Sequence, residues 1–215
     1  MRNRNFLLIF VGCMIIYFSC GTKPEKKGWF YKKNSIQILL LGNVEDKAVW
    51  EVKDMIATQF HPDTILLTHA PLPDSCITTI KTKRYRADKL LRYLTTRKDE
   101  SATKLIALTE QDISVTKYGE KGKIKSPTYK YADWGIMGLA YRGGGVCIVS
   151  CFRLQSEDKK LFYQRLRKVS MHELGHNYGN PHCSDKTCVM TDAVERISTV
   201  DGAQEWFCEK CEKKI

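Results

Sequence analysis

The sequence has no apolar run long enough to cross a membrane, no internal repeat and no low-complexity tract. A helical span needs about 20 apolar residues, whereas the run from Phe6 to Phe18 has thirteen. Solenoids and propellers, which need a fixed period, are excluded by the missing repeat. Acidic residues are scarce: 24 Asp and Glu stand against 35 Lys and Arg, a net charge of +11. Such a balance favours anionic surfaces or acidic ligands. What is present is ordinary for a globular protein, 43% hydrophobic and 27% charged, so disorder is not the main state. A chain of 215 residues has room for one sizeable domain and a small appendage. Nine cysteines is a high count and an odd one, so they cannot all pair with one another. A pure disulfide scaffold is excluded too, because a chain of this length buries a core without staples.

The N-terminus reads as an address. Arg2 and Arg4 precede the apolar run, and the polar stretch Thr22-Lys23-Pro24-Glu25-Lys26-Lys27 follows it. A basic start, a short apolar run and small polar residues are the pattern of an export signal. Cys20, in Ser19-Cys20-Gly21, resembles the lipidated cysteine of a bacterial lipoprotein, with Tyr17 and Phe18 a loose match to that pattern. The expected organisation is a signal peptide over 1–19, lipidation at Cys20, a linker over 20–33 and one domain over 34–215. The expected location is the cell envelope, on a membrane and facing the periplasm or exterior. Simple secretion is the alternative.

Within the domain, short apolar runs alternate with helical periodicity. Ser35 to Gly42, Thr64 to Thr68 and Lys104 to Leu108 read as strands, and Val44 to Phe60 and Ala87 to Thr96 as helices. Residues 116–133 read as a surface loop. Trp134 to Tyr141 and Gly145 to Leu154 read as two more strands, and the short link Arg142-Gly143-Gly144 predicts a hairpin. A long helix is expected from Asp158 to Tyr178. The predicted class is α/β with a mixed sheet. Residues 81–98 hold eight basic side chains against Asp88 alone. They are read as a solvated helix face, with anionic lipid a further option and nucleic acid disfavoured as a partner.

The chemistry is concentrated between residues 172 and 211. The long helix ends in His172-Glu173-Leu174-Gly175-His176. Residues four apart share a helix face, so both imidazoles can reach one metal, and Glu173 can reach a water beside it. Gly179 follows where a helix must turn, and His182 follows three residues later as a third nitrogen donor. Three protein ligands and an open position are the pattern of a catalytic zinc. The plain alternative is a helix carrying two hydrogen-bonded histidines. Cys183 and Cys188 flank four residues, and Cys208 and Cys211 flank two, spacings that suit a four-thiolate structural zinc. Two disulfides are the alternative in an oxidising compartment.

The run HELGHNYGNPHC, then Cys188-Val189-Met190, seventeen residues and Cys208-x-x-Cys211, resembles the archaemetzincin signature HExxHxxGxxHC-x4-C-x-M-x17-C-x-x-C at every fixed position. The resemblance implies a metzincin-like zincin fold with a twisted mixed sheet, an active-site helix, a methionine turn and a cysteine-rich structural zinc site. It implies two zincs per chain. His172, His176 and His182 would hold the catalytic one, with Glu173 as general base and Met190 in the turn. Cys183, Cys188, Cys208 and Cys211 would hold the structural one. It also implies that an edge strand, by position Trp134 to Tyr141, pairs with an extended peptide substrate. The expected activity is zinc-dependent peptide-bond hydrolysis, as a general peptidase or an aminopeptidase, through Glu173-assisted attack of zinc-polarised water. A gluzincin-like variant would replace His182 with Glu195 or Glu205. A catalytically silent, zinc-stabilised binding module on a membrane is the reading from another class. The export signal departs from the family, whose members are commonly intracellular.

Overall fold

Ser35–Leu41 forms β1, a strand of seven residues buried along its whole length. A strand apolar on both faces has to be covered on both, and the helices that follow supply the cover. In chain order the next elements are α1 (Asp46–Phe60), β2 (Thr64–Ala70), β3 (Ile77–Thr78), β4 (Arg84–Arg86), α2 (Ala87–Thr95), β5 (Lys104–Thr109) and β6 (Ile113–Val115). After them come α3 (Thr128–Tyr131), β7 (Trp134–Ile136), β8 (Gly138–Ala140), β9 (Val146–Ser150), α4 (Lys159–Asn177), α5 (Ile197–Gly202) and α6 (Glu209–Glu212). The computed structural model describes residues 34–192 and 196–215. The expected signal peptide, Cys20, the linker and Glu195 lie outside the described residues.

The main sheet has the order β2-β1-β5-β9-β8. Its first four strands run parallel, and β8 alone is antiparallel, paired with β9 as Gly138↔Val149 and Ala140↔Cys147. Strand alternation divides the core. Ile36, Ile38, Ile106, Leu108, Cys147 and Val149 face α1 and α4, whereas Leu39, Leu41, Leu105, Ala107, Val146 and Ile148 face α2. The result is a three-layer α/β sandwich with α4 on one face of the sheet. Gln37 is the polar exception in β1. Its amide donates to the Thr68 hydroxyl and the Arg97 carbonyl, and its oxygen accepts from Asp99 N–H, so its burial leaves nothing unsatisfied.

The predicted strands and helices are found with ends shifted by a few residues, and the mixed α/β class is borne out. Four expectations need correcting. Trp134 to Tyr141 is not one strand: Met137 separates β7, in a second sheet of order β3-β4-β6-β7, from β8 in the main one. The β9 run is shorter than expected and passes into a 3-10 turn at Phe152–Leu154. Residues 116–133 contain α3 and a small hairpin closed by the Tyr118↔Ile124 bridge. The basic stretch 81–98 is not wholly solvated. Arg84 turns inward to Asp112 (2.7 Å) and to Asp133 (3.1 Å), and Arg86 to Asp88, Thr116 and the Ala132 carbonyl. Asp112 also receives two bonds from Arg153 (2.7 and 2.8 Å), which ties the small sheet to the end of β9.

Candidate metal centre and active-site cleft

Helix α4 starts where the Asp158 side chain accepts from Lys160 N–H. Its other end is fixed by the β8–β9 hairpin. Gly143 N–H donates to the His176 carbonyl at 2.8 Å, and Lys104 Nζ to the Asn177 carbonyl at 2.8 Å, so carbonyls left over at the helix end find donors. The Asn177 amide reaches back to the Tyr141 and Val146 carbonyls (3.0 and 2.9 Å). The glycine link that predicts a hairpin therefore also anchors the helix carrying the histidines. Gly179 then takes φ +96°, which an L side chain rarely adopts, and turns the chain toward His182.

The structure brings His172, His176 and His182 together, with their nearest ring nitrogens or other donor atoms all within 4.8 Å of one another. Ring centroids lie 4.6 to 5.4 Å apart. The Nδ1 of His172 is 2.8 Å from the Val189 carbonyl, and that of His176 is 2.7 Å from the Asn180 carbonyl. Each Nδ1–H donates to its carbonyl, which leaves Nε2 as the bare donor to a metal. Burial holds His172 down to about 4, with the neighbouring His176 adding to the effect, and burial lowers His176 as well. Neutral imidazole is the form that binds metal. Glu205, the described alternative to His182, is paired with Arg167 at 3.3 Å and does not join the histidines.

Glu173 is buried in the same cleft, and burial pushes its carboxyl up to about 8. A nearby cation acts in the opposite direction, favouring the carboxylate. Across from it stands Gly138 of β8, where a Cβ would lie 2.6 Å from the Glu173 carboxylate and 2.7 Å from its Cγ. The strand comes this close because it lacks a side chain there. The cleft has a volume of about 790 Å³ and is lined by the three histidines, Glu173 and Gly138 to Ala140.

Beneath the histidines, Met190 is fully buried, and Gly175 of α4 packs onto it. A Cβ at Gly175 would sit 2.5 Å from the Met190 sulfur and 2.9 Å from the Phe207 ring. Met190, the residue expected in the methionine turn, is thus packed against α4. Cys183, Cys188, Cys208 and Cys211 form a second group with sulfurs within 4.8 Å of one another. All four are free thiols rather than two disulfides. Burial raises the Cys188 pKa, and the Met190 and Cys208 N–H groups that donate to its sulfur at 3.4 and 3.3 Å offset part of that rise. Imidazole nitrogen and cysteine sulfur are the preferred ligands of zinc, so both donor sets fit it.

The two groups are joined by short backbone paths that the sequence does not announce. Cys188, Val189 and Met190 are consecutive: a sulfur of the cysteine cluster, the carbonyl that orients His172, and the thioether under α4. Asn180 joins them a second time, its carbonyl on His176 and its amide on the Cys211 carbonyl at 3.0 Å. Cys76, Cys147 and Cys151 stay in the apolar core, as small core residues should.

Comparison with known proteins agrees with this geometry. The model of Peptidase family M54 matches residues 51–215. The archaemetzincin of Pyrococcus abyssi is 41% identical over 87 residues, 37% of this chain and 45% of that protein. The archaemetzincin of Halobacterium salinarum is 24% identical over 189 residues, 84% of this chain and 98% of that protein. The crystal structure of archaemetzincin from Methanopyrus kandleri is similar in fold, with a TM-score of 0.69 at 22% identity, covering 86% of this chain and 94% of that one. The chain therefore belongs to peptidase family M54, the archaemetzincins, and is a zinc metallopeptidase.

Proposed function

We propose that this chain hydrolyses peptide bonds with a catalytic zinc held by His172, His176 and His182 and with Glu173 as general base. The observation that carries the reading is the convergence of three imidazoles, two of them with Nδ1 fixed on backbone carbonyls, beside a buried carboxyl in one cleft. Zinc bound there would supply a Lewis acid that polarises water and the scissile carbonyl. Glu173 takes the proton from the attacking water and passes it to the leaving amine. Gly138 leaves its carboxylate room to do so. Strand β8 ends the main sheet and lines the cleft, so an extended peptide can add to it through main-chain hydrogen bonds, as sheet-edge recognition does elsewhere. The four cysteines hold a second, structural zinc, and the chain is tethered to a membrane through lipid on Cys20. Aminopeptidase action is the narrower form of the activity.

The test is cleavage of a peptide mixture by the zinc-loaded chain and by Glu173→Ala, with metal analysis of both. The variant should keep two zincs per chain and lose activity by about 100-fold or more, the usual contribution of general base catalysis. Equal cleavage by the variant overturns the mechanism. Acetylated peptides cut as well as those with a free amino terminus would remove the aminopeptidase form. A Cys20→Ser chain that still partitions with membranes would remove the lipid tether.

A further inference from the structure

Two of the three imidazoles are aimed by backbone carbonyls, His172 by Val189 and His176 by Asn180. His182 has no such carbonyl among the described residues; its Nδ1 faces the Asp192 carboxylate at 3.7 Å instead. The backbone explains why these two meet. Cys183 and Thr191 form a parallel bridge, with Cys183 N–H donating to the Met190 carbonyl (2.8 Å). Side chains on extended backbone alternate sides. Thr191 is buried, so His182 and Asp192, each one residue from the bridge, emerge together on the opposite side. The segment that joins the cysteine group to Met190 thus also delivers a carboxylate to the third histidine.

We propose that Asp192 is the positioning residue of the third zinc ligand, accepting a hydrogen bond from His182 Nδ1–H when Nε2 binds metal. This role rests on the three-histidine site above and adds the outer partner that His182 otherwise lacks. At 3.7 Å the contact has the length of an ion pair, longer than a hydrogen bond. The His182 and Asp192 side chains are 49% and 55% exposed, so a small rotation closes the gap. Histidines that bind metal as a rule donate their second nitrogen to a carboxylate or carbonyl, which fixes the tautomer and the ring plane. Asp192 is not itself placed as a ligand: the donor group within 4.8 Å is His172, His176 and His182 without it. It lines the cleft, and its charge also acts on His172 and on Lys117 of the neighbouring hairpin. The three ligands are then unequal. His172 and His176 donate to neutral carbonyls and His182 to an anion, and an anionic partner makes an imidazole the more basic ligand.

The experiment loads the chain with zinc at the cysteines and cobalt(II) at the histidines, then titrates the cobalt with a chelator while following its visible absorption. The parent, Asp192→Asn and Asp192→Leu are compared. Asp192→Leu should weaken cobalt binding by about tenfold or more, the scale of a lost outer partner. It should also change the shape of the visible bands, because a loosely held imidazole alters the geometry around the metal. Asp192→Asn keeps an acceptor oxygen without the charge, and should restore the parent band shape and part of the affinity. Zinc at the cysteines and Tm should be the same in all three chains, since the altered side chain is exposed. Parent-like affinity and bands in Asp192→Leu overturn the role of Asp192 and leave the three-histidine site standing. Equal weakening in both variants with parent-like bands overturns it too, because the charge then acts from a distance without holding the ring. A parent chain whose histidines take up no metal overturns the site and the role of Asp192 with it.

Discussion

Replacing Gly175 with alanine puts two opposed effects against each other, and the structure decides the sign. In a helix interior, Gly→Ala stabilises by about 1 kcal/mol through propensity alone. Gly175, however, faces Met190 at close range: the new Cβ would lie 2.5 Å from the sulfur and 2.9 Å from Phe207 Cε1. Met190 is fully buried and Phe207 nearly so, which leaves neither side chain open space to retreat into. Overpacking a closed core costs about 1–3 kcal/mol. The net expectation is a loss of up to about 2 kcal/mol, which for a domain of this size lowers Tm by up to roughly 8 °C. Calorimetry or circular dichroism melts of the zinc-loaded chain would read the shift. Because Met190 adjoins the Val189 carbonyl that orients His172, zinc affinity at the histidines should fall in parallel. The double variant Gly175→Ala/Met190→Ala supplies the control: with the sulfur gone, the alanine should cost less than it does alone. A Gly175→Ala chain that is more stable than the parent, or strict additivity in the double variant, would refute the packing argument.

Gly138→Ala should act on the chemistry with little effect on metal content. Its Cβ forces the Glu173 carboxylate to move, and a displacement near 1 Å at a reacting group costs about 100-fold in rate; a normal kcat with unchanged zinc would contradict that. Cys208→Ser should take the metal content toward one zinc per chain and lower Tm, and because Cys188 to Met190 link the two groups it should also weaken metal at the histidines. Two zincs retained at unchanged Tm would remove the structural site. Asn180→Ala should lower the affinity of the histidines for zinc by about tenfold or more, since outer hydrogen-bond partners contribute on that scale. Here the altered group, an amide that donates to the Cys211 carbonyl, lies on the cysteine side and makes no hydrogen bond to the histidines. Unchanged zinc titration in Asn180→Ala would show that the carbonyl holds His176 without help from the side chain.

Most of the donor groups were legible in the sequence because the chain delivers them locally. His172 and His176 share a helix face by spacing, and Gly179 must turn the chain before His182. The cysteines come in two short-spaced pairs. The parallel core was legible for a similar reason, since SIQILLL and KLIAL are apolar on both faces and need helices on both sides. Strands β3, β4 and β6 were missed because they are two or three residues long, and β4 is Arg-Tyr-Arg. Nothing in a run of basic residues says that Arg84 and Arg86 turn inward, because the partners Asp112, Asp133 and Thr116 are distant in sequence.

The sequence by itself determined which atoms can hold metal, on which helix the histidines sit and which class of layered α/β core carries them. Helical period, strand alternation and cysteine spacing are properties of neighbouring residues, and they survive without any knowledge of distant contacts. Only the tertiary structure decided what aims those atoms. The Val189 and Asn180 carbonyls that orient the imidazoles, and the close approaches that need no side chain at Gly138 and Gly175, all depend on segments meeting in space. A carbonyl is present at every residue and a glycine looks alike in any loop. Their roles come from where the packed sheet and helix α4 hold them, because orientation is fixed by the whole close-packed interior and not by local spacing.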